Sequence, residues 1–476
     1  VRERLFSDHV ALPHWYLWWQ LDAYSEAMKA DTVADDAGRL GRLHFAFIAP
    51  PFAGHFNPLQ AVASELVRRE HRASFFHQVD AAGLLNSGQI RFSPVGLASH
   101  PAGSLGRLVR QIGGLRGIMG MAQVIRPLAA CTEMLCRELP STLQAHGIDA
   151  IVADQTEAAG GLVARHIGVP YISMASALPI NSEANMPPPF TGWPYDPTRW
   201  GRHRNRGGYR VSRWLMRPLQ KTIHGIATSW GLGPVSDLED CLSPYAQISQ
   251  LSENLDFPRS ELPVGFHYTG PWRDEDDTAT LPFRPADYPR KLVFVSLGTL
   301  QGNRFELFEA IATACCQLNL QCVIAHGGRM SLPQSASLPG QPLVFDFLPQ
   351  RQLLRHAAAV VTHGGMNTVL DAAAAGVPTV VVPLAFEQAA IAARVAHAGV
   401  GRVVNPRRPL ADEFARALKA VLEQPAYADR ARAMQHTVVA AGGAFSAASI
   451  IEDVIAKAIC DANSAAQRRE LLECSI

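Results

Sequence analysis

The chain has 476 residues and no apolar run of the ~18 that a membrane-spanning helix requires, so a soluble or peripheral protein is expected. Nor does it carry an excess of charge. With 43 Lys and Arg against 42 Asp and Glu the net charge is +1, which argues against nucleic acid as a general partner while allowing a local basic patch. Eight cysteines (Cys131, Cys136, Cys241, Cys315, Cys316, Cys322, Cys460 and Cys474) lack both zinc-ligand and secreted-framework spacing, and read as reduced thiols of a cytosolic protein. No secretory signal is evident: the apolar stretch at residues 11–19 is broken by Pro13 and His14, and no clean small-residue cleavage site follows. Where a dinucleotide-binding protein would have a Gly-rich turn after its first buried strand, this chain has PPFAGHFNP, with Gly54 alone. The NAD reading fails there.

What is present is concentrated in residues 347–388, FLPQRQLLRHAAAVVTHGGMNTVLDAAAAGVPTVVVPLAFEQ. A β-branched run at 359–362 meets a His363-Gly364-Gly365 turn, a helix is predicted over 367–375, and a second buried strand over 379–382. The free N–H groups and positive dipole of a helix start suit phosphate, and the two glycines let backbone approach a bulky anion. His363, Asn367 and Thr368 can add side-chain donors there. Asp371, one helical turn beyond Asn367, could accept from ribose hydroxyls. Phe347 offers a flat face for a base and Gln350 an amide, while Glu387 and Gln388 suit sugar hydroxyls.

Upstream, residues 44–49 read as a first buried strand and 59–70 as a helix. His55 stands in the loop between them, just before a helix whose dipole would favour the neutral imidazole that a general base must be. Residues 148–153 form another buried strand, ended by Asp154. A third strand, 292–297, ends at Gly298-Thr299. Two sets of strand-helix repeats imply an α/β protein with two Rossmann-like domains across a cleft. We expect residues 43–272 and 290–440 to be those domains, joined by a linker at 273–289 and followed by a helix at 441–460 and a polar tail at 461–476. Residues 1–42 are expected to lie outside the fold. Asp274-Glu275-Asp276 fits an Asp-x-Asp metal pattern, but it lies in the linker instead of ending a strand, so it reads as a solvated charge run and not a metal site.

Residues 105–139 look helical and rich in methionine (Met119, Met121, Met134); with Phe52, Met174, Met186 and Phe190 they could line an adaptable apolar pocket. Residues 199–221 hold seven arginines and a lysine, no Asp or Glu, and Trp200, Tyr209 and Trp214 interleaved. Nucleic-acid binding could use such a composition, as could a surface lying on anionic lipid with aromatics at headgroup level; the plain alternative is a solvated loop and helix face.

The order Pro-Gln, Thr-His-x-Gly-x-Asn-Thr, an acid, Gly-Val-Pro and an acid before Gln resembles the nucleotide-sugar signature of the UDP-glycosyltransferase family. That resemblance implies the GT-B architecture, with a UDP-sugar held by the second domain, donor phosphate at Gly298 and Thr299, and a final helix packing back on the first domain. It implies His55 as catalytic base, Asp154 as the acid that holds it, inversion at the anomeric carbon, and neither metal nor cofactor. LCRELP (135–140), SALP (176–179), AQISQ (246–250), LDFPR (255–259) and SLGTLQG (296–302) are similar to the bacterial branch that glucosylates carotenoids. This implies UDP-glucose as donor and the two ring hydroxyls of zeaxanthin as acceptors, in a cytoplasmic enzyme peripheral on the inner face of the membrane. Phe347 and Met366 stand where plant relatives have Trp, and Glu387 where Asp is commoner. Another lipophilic acceptor, or a non-catalytic helper of the same fold, is the alternative.

Overall fold

The computed structural model describes residues 41–113, 117–274, 279–298, 304–405 and 410–473. The expected extension up to residue 40, Thr299 and most of the acidic linker run lie outside them. Buried apolar strands set the architecture. β1 (His44–Ile48), β4 (Ala150–Asp154) and β5 (Tyr171–Ala175) are buried throughout, as parallel strands covered on both faces must be. With β2 (Arg72–His77), β3 (Arg91–Pro94), β6 (Gln247–Ser249) and β7 (Phe266–Tyr268) they form one parallel sheet, order β3-β2-β1-β4-β5-β6-β7.

A second parallel sheet has the order β10-β9-β8-β11-β12-β13. Its strands are β8 (Leu292–Ser296), β9 (Gln321–Ala325), β10 (Leu343–Phe345), β11 (Ala357–Thr362), β12 (Thr379–Val381) and β13 (Gly401–Val403). Strand order reverses between β1 and β4 in one sheet and between β8 and β11 in the other. At such points the loops leaving the carboxyl ends diverge, which opens a crevice.

Helix α1 (Ala53–Arg68) follows β1. It begins at Ala53 and not near Leu59 as the sequence suggested, so His55 lies in its first turn. Pro58 is inside the helix. Residues 105–139 were expected to be helical, and their described part is helical, as α2 (Ser104–Gly113) and α3 (Gly117–Ala145). After α4 (Ala159–Ile167) comes the long α5 (Arg199–Ser229), whose Leu219, Ile223 and Ala227 join the core formed with α3 and α4. The second sheet is covered on one side by α6 (Phe305–Gln317) and, further along the chain, residues 411–423. The elements between are α7 (Leu332–Ser337), α8 (Gln350–Leu354), α9 (Met366–Ala374) and α10 (Gln388–Ala398). After them come α11 (Ala411–Glu423), α12 (Pro425–Ala440) and α13 (Gly443–Glu473).

The two sheets meet over an apolar cluster in which Leu178, Leu251 and Leu255 pack with Met366, Leu370, Ile391 and Val395. Beside it Asp256 accepts from Arg394 Nε at 2.7 Å and from Arg259 Nε at 3.0 Å. Burial alone would raise the Asp256 pKa, but the two guanidiniums hold it below the ordinary value. At the other end α13 returns to α1: Glu452 pairs with Arg69 at 2.5 Å and His71 at 2.9 Å, and Arg69 lies over the Phe445 ring. The sequence expectation of no membrane-length apolar stretch needs correcting, because residues 425–464 pass that test by length and composition. Gly442 and Gly443, both at positive φ, divide the stretch into α12 and α13, and its Met434, Val438, Ala447, Ala448, Ile451 and Ile455 are buried in the protein.

Candidate active site

The first half of the site stands at the β1/β4 switch point. Asp154, the last residue of β4, is fully enclosed, while His55 keeps 22% of its side-chain surface exposed. His55 Nδ1 lies 3.0 Å from Asp154 Oδ2, and Ser176 Oγ, which also donates to that carboxylate oxygen, is 2.9 Å from the same nitrogen. The other oxygen of Asp154 accepts from the Thr156 backbone N–H at 2.9 Å and from its hydroxyl. With Nδ1–H engaged by the carboxylate, the imidazole lone pair is on Nε2, which becomes the basic nitrogen.

Charge sets how basic it is. Burial by itself would lower the His55 pKa, but the Asp154 charge and hydrogen bond, with a smaller contribution from Glu387, raise it above the usual value. Asp154 responds in the opposite sense: burial pushes it up, and His55, Ser176 and Thr156 bring it below the ordinary carboxylate range. The helix dipole was expected to favour the neutral ring, but the net direction is upward, because a carboxylate lies at 3.0 Å.

The second half stands at the β8/β11 switch point. His363 follows β11, and its ring lies between Gly298 and Gly365, where added Cβ atoms would come within 2.7 and 2.6 Å of it. Burial lowers His363 to about 4, offset in part by a hydrogen bond to the Ser296 backbone, so the ring is neutral. Gly364 has φ +87°, and a Cβ there would meet Val381 at 2.8 Å. Gly365 is the N-cap residue of α9 and no side chain caps that helix. Its dipole and first-turn N–H groups face the turn, as an anion requires.

Among the described residues, one grouping has metal-ligand chemistry: His77, Cys131 and Glu157. His77 Nδ1 accepts from the Gln78 N–H at 2.8 Å, so Nε2 carries the proton, 3.5 Å from Cys131 Sγ. A ring with both nitrogens so engaged has no lone pair left for a cation. Burial lowers His77 to about 3, so its ring is neutral, and raises Glu157 to about 7.

Against known proteins, residues 214–437 match the family model described as UDP-glucoronosyl and UDP-glucosyl transferase. The chain is 40% identical over 417 residues to a zeaxanthin glucosyltransferase of Pantoea ananas, covering 87% of this chain and 96% of that protein. It belongs to the UDP-glycosyltransferase family. A zeaxanthin glucosyltransferase of Pseudescherichia vulneris is 37% identical, covering 87% of this chain and 98% of that one. Among solved structures, the glycosyltransferase of kitacinnamycin is similar with a TM-score of 0.71 at 21% identity, covering 87% of this chain and all of that one. The calicheamicin glycosyltransferase CalG4 gives 0.70 at 22% identity, covering 88% and 100%. These likenesses show the GT-B fold.

The transferase brings together many of the residues singled out from its sequence. The Gln350 amide donates to Asp371 Oδ2 at 2.6 Å and its oxygen accepts from Thr368 at 3.2 Å. Asp371 Oδ1 is held by Arg273 Nε at 2.6 Å. Gln350, Asp371 and Thr368, all expected at the nucleotide-sugar, bond to one another along the wall of the site. Asn367, also expected at phosphate, donates from Nδ2 to the Gly54 carbonyl on α1 at 3.2 Å, and its oxygen accepts from Gln250 at 3.0 Å. Gln388 Oε1 closes its own loop by accepting from the Leu384 and Ala385 N–H groups, both at 2.8 Å. Phe386 in that loop has φ 53°, strain of a kind that favours glycine. Phe347 is 68% exposed, free to stack.

Three pocket residues are corrected. Met134 and Met174 are core residues with 1% and 0% exposure, the first packed against Gly96, so neither lines an open pocket. Met186 is equally buried, its sulfur beside Arg394 Nη2. Phe52 and Phe190 are half-buried. Sequence reasoning missed Ser176, Gln250 and Arg273. The first two lie in SALP and AQISQ, which had been noted for resemblance without a role.

Proposed function

We propose that this transferase moves glucose from UDP-glucose to the ring hydroxyls of zeaxanthin, giving the mono- and then the diglucoside with inversion. The end-to-end similarity to two zeaxanthin glucosyltransferases supports the acceptor and sugar. The observation that carries the chemistry is the His55–Asp154 pair at 3.0 Å, placed at the switch point and within electrostatic reach of Glu387 of the second half.

In this reading His55 Nε2 takes the acceptor hydroxyl proton as its oxygen attacks the anomeric carbon. The bond from that carbon to the diphosphate oxygen breaks, and UDP leaves on the opposite side. Asp154 stabilises the imidazolium that forms and fixes the tautomer. The Gly364-Gly365 turn and the start of α9 meet the charge on the leaving diphosphate, where aligned donors are worth ~3 kcal/mol each. Helix-end donors of this kind do the work that a cation would do, so we propose transfer without a metal or a cofactor. Glu387 receives glucose hydroxyls and Phe347 stacks on the base.

A carotenoid resides in lipid, and a contact of residues 199–221 with the inner face of the cytoplasmic membrane follows as part of the same proposal. The test is product analysis after incubation of the purified chain with UDP-glucose and zeaxanthin in mixed micelles. Monoglucoside followed by diglucoside is the expected outcome. Glucosylation of a sterol or a phenolic in place of zeaxanthin would replace the acceptor; failure with all of them would favour a non-catalytic helper.

A further inference from the structure

A chain of hydrogen bonds links the helix end that faces the leaving diphosphate to the histidine that faces the acceptor. It starts from an irregularity in α1. Pro58 has no N–H, so the carbonyl of Gly54, four residues earlier, lacks the helical donor it would otherwise have. Asn367 Nδ2, on the first turn of α9, donates to that carbonyl at 3.2 Å, next to His55 in sequence. A residue of one sheet's switch point is thus bonded to the first turn of the helix at the other's.

Gln250 sets which way the Asn367 amide faces. It is fully buried at the end of β6, and its Nε2 donates both to Asn367 Oδ1 at 3.0 Å and to the carbonyl of Ser176. The hydroxyl of that same serine braces His55 and Asp154. Gln250 Oε1 in turn accepts from Arg273 Nη1 at 3.1 Å. Arg273 also donates to the Asn367 carbonyl at 3.1 Å and to Asp371 Oδ1 at 2.6 Å. Arg273 comes just after buried Trp272, where the chain leaves the first sheet for the second. One planar guanidinium therefore spans two positions of α9 and the glutamine, a fork that a lysine ammonium cannot reproduce.

We propose that Gln250 and Arg273 are positioning residues that hold the start of α9 and the His55–Asp154–Ser176 group in one register. Neither touches the reacting atoms. Gln250 acts through Ser176 and Asn367, and Arg273 acts through Gln250 and α9. The inference rests on the reading of His55 as base. In-line attack depends on the distance between base and leaving group, and misplacement by ~1 Å can cost about a hundredfold in rate.

The test combines kcat, KM, UDP affinity by titration calorimetry and a double-variant cycle. Gln250→Met and Arg273→Lys are expected to lower kcat about ten- to a hundredfold while UDP affinity changes less than about threefold. Gln250→Glu keeps the size of the side chain and its bond to Arg273 but loses both N–H donors, so it guards against a folding defect and should show the same fall in kcat. Gln250→Met combined with Ser176→Ala should be no slower than the slower single variant, because both act on one element. Full activity of Gln250→Glu, wild-type kcat in Arg273→Lys, multiplication of the Gln250 and Ser176 effects, or a loss of UDP affinity matching the loss of kcat would each overturn the proposal. His55→Ala, run alongside, separates the two readings: turnover retained there removes the base, whereas turnover abolished there but intact in Gln250→Glu removes this inference alone.

Discussion

His55 shows how a single side chain can be tuned by what surrounds it. A base must be neutral to act, and the Asp154 charge raises the pKa of this one against the effect of burial. The neutral fraction therefore falls as pH drops through the raised value, and kcat/KM should lose activity on an acid limb whose midpoint lies above the ordinary ~6.5. Asp154→Asn removes the charge that raises it, so that limb should move to lower pH while the maximal rate falls by ~100-fold or more. A pH–rate series on both proteins measures this; an acid limb that stays in place in Asp154→Asn would mean another group titrates. Both residues could be singled out in the sequence because His55 comes after, and Asp154 ends, a run of buried strand residues, HFAFI and AIVAD, where parallel sheets place their polar groups. Ser176 carries no such signal. A serine after a strand looks like any turn residue, and only the fold brings its hydroxyl to His55.

At the scale of elements, the turn between β11 and α9 depends on the absence of two Cβ atoms. Gly365 has an ordinary φ, so Gly365→Ala would suffer only from the approach of its Cβ to within 2.6 Å of His363. Gly298 combines a 2.7 Å approach with φ +73°, and Gly298→Ala adds backbone strain to the same clash. Both variants should weaken UDP binding, by about tenfold for Gly365→Ala and more for Gly298→Ala, as seen by calorimetry. Equal affinities in the two variants would show that the ring can move aside and that strain is not felt there. This turn was legible because glycine after a buried β-branched strand has few other uses. The start of α1 was not. Proline usually marks a boundary, and nothing local reveals that Pro58 sits inside a helix whose freed carbonyl is taken by a residue 313 positions away. The methionines misled for a related reason: a flexible apolar side chain suits a pocket wall and a core equally, and Met134 and Met174 fill the core.

At the scale of the whole molecule, the described residues include a surface of unusual character. Along α5 the residues Trp200, His203, Gly207, Arg210, Trp214, Arg217 and Lys221 recur at three- and four-residue intervals and are exposed, while Leu215, Leu219, Ile223 and Ala227 face the core. Trp200 is 76% and Trp214 60% exposed, a cost to a helix that has only water to face. No Asp or Glu occurs anywhere in the helix, so the face has no internal counter-charge. The loop leading into α5 reaches across to the second half, where Gly192 lies against Ala389. A protein that draws its substrate from lipid would gain by resting on this face, with tryptophans at headgroup depth and cations above anionic phosphates. Co-sedimentation should therefore show binding to vesicles containing phosphatidylglycerol, weakened by salt, and little to pure phosphatidylcholine. Replacing Arg210, Arg217 and Lys221 together by Gln should weaken it on the order of a hundredfold, at ~1 kcal/mol for each charge. Turnover of a water-soluble hydroxylated acceptor should be unaffected, because these side chains lie on the far side of α5 from the core that supports β4 and Asp154. Equal binding to both kinds of vesicle, or binding that survives the triple replacement, would leave the arginines as a solvated face and require another route for the acceptor.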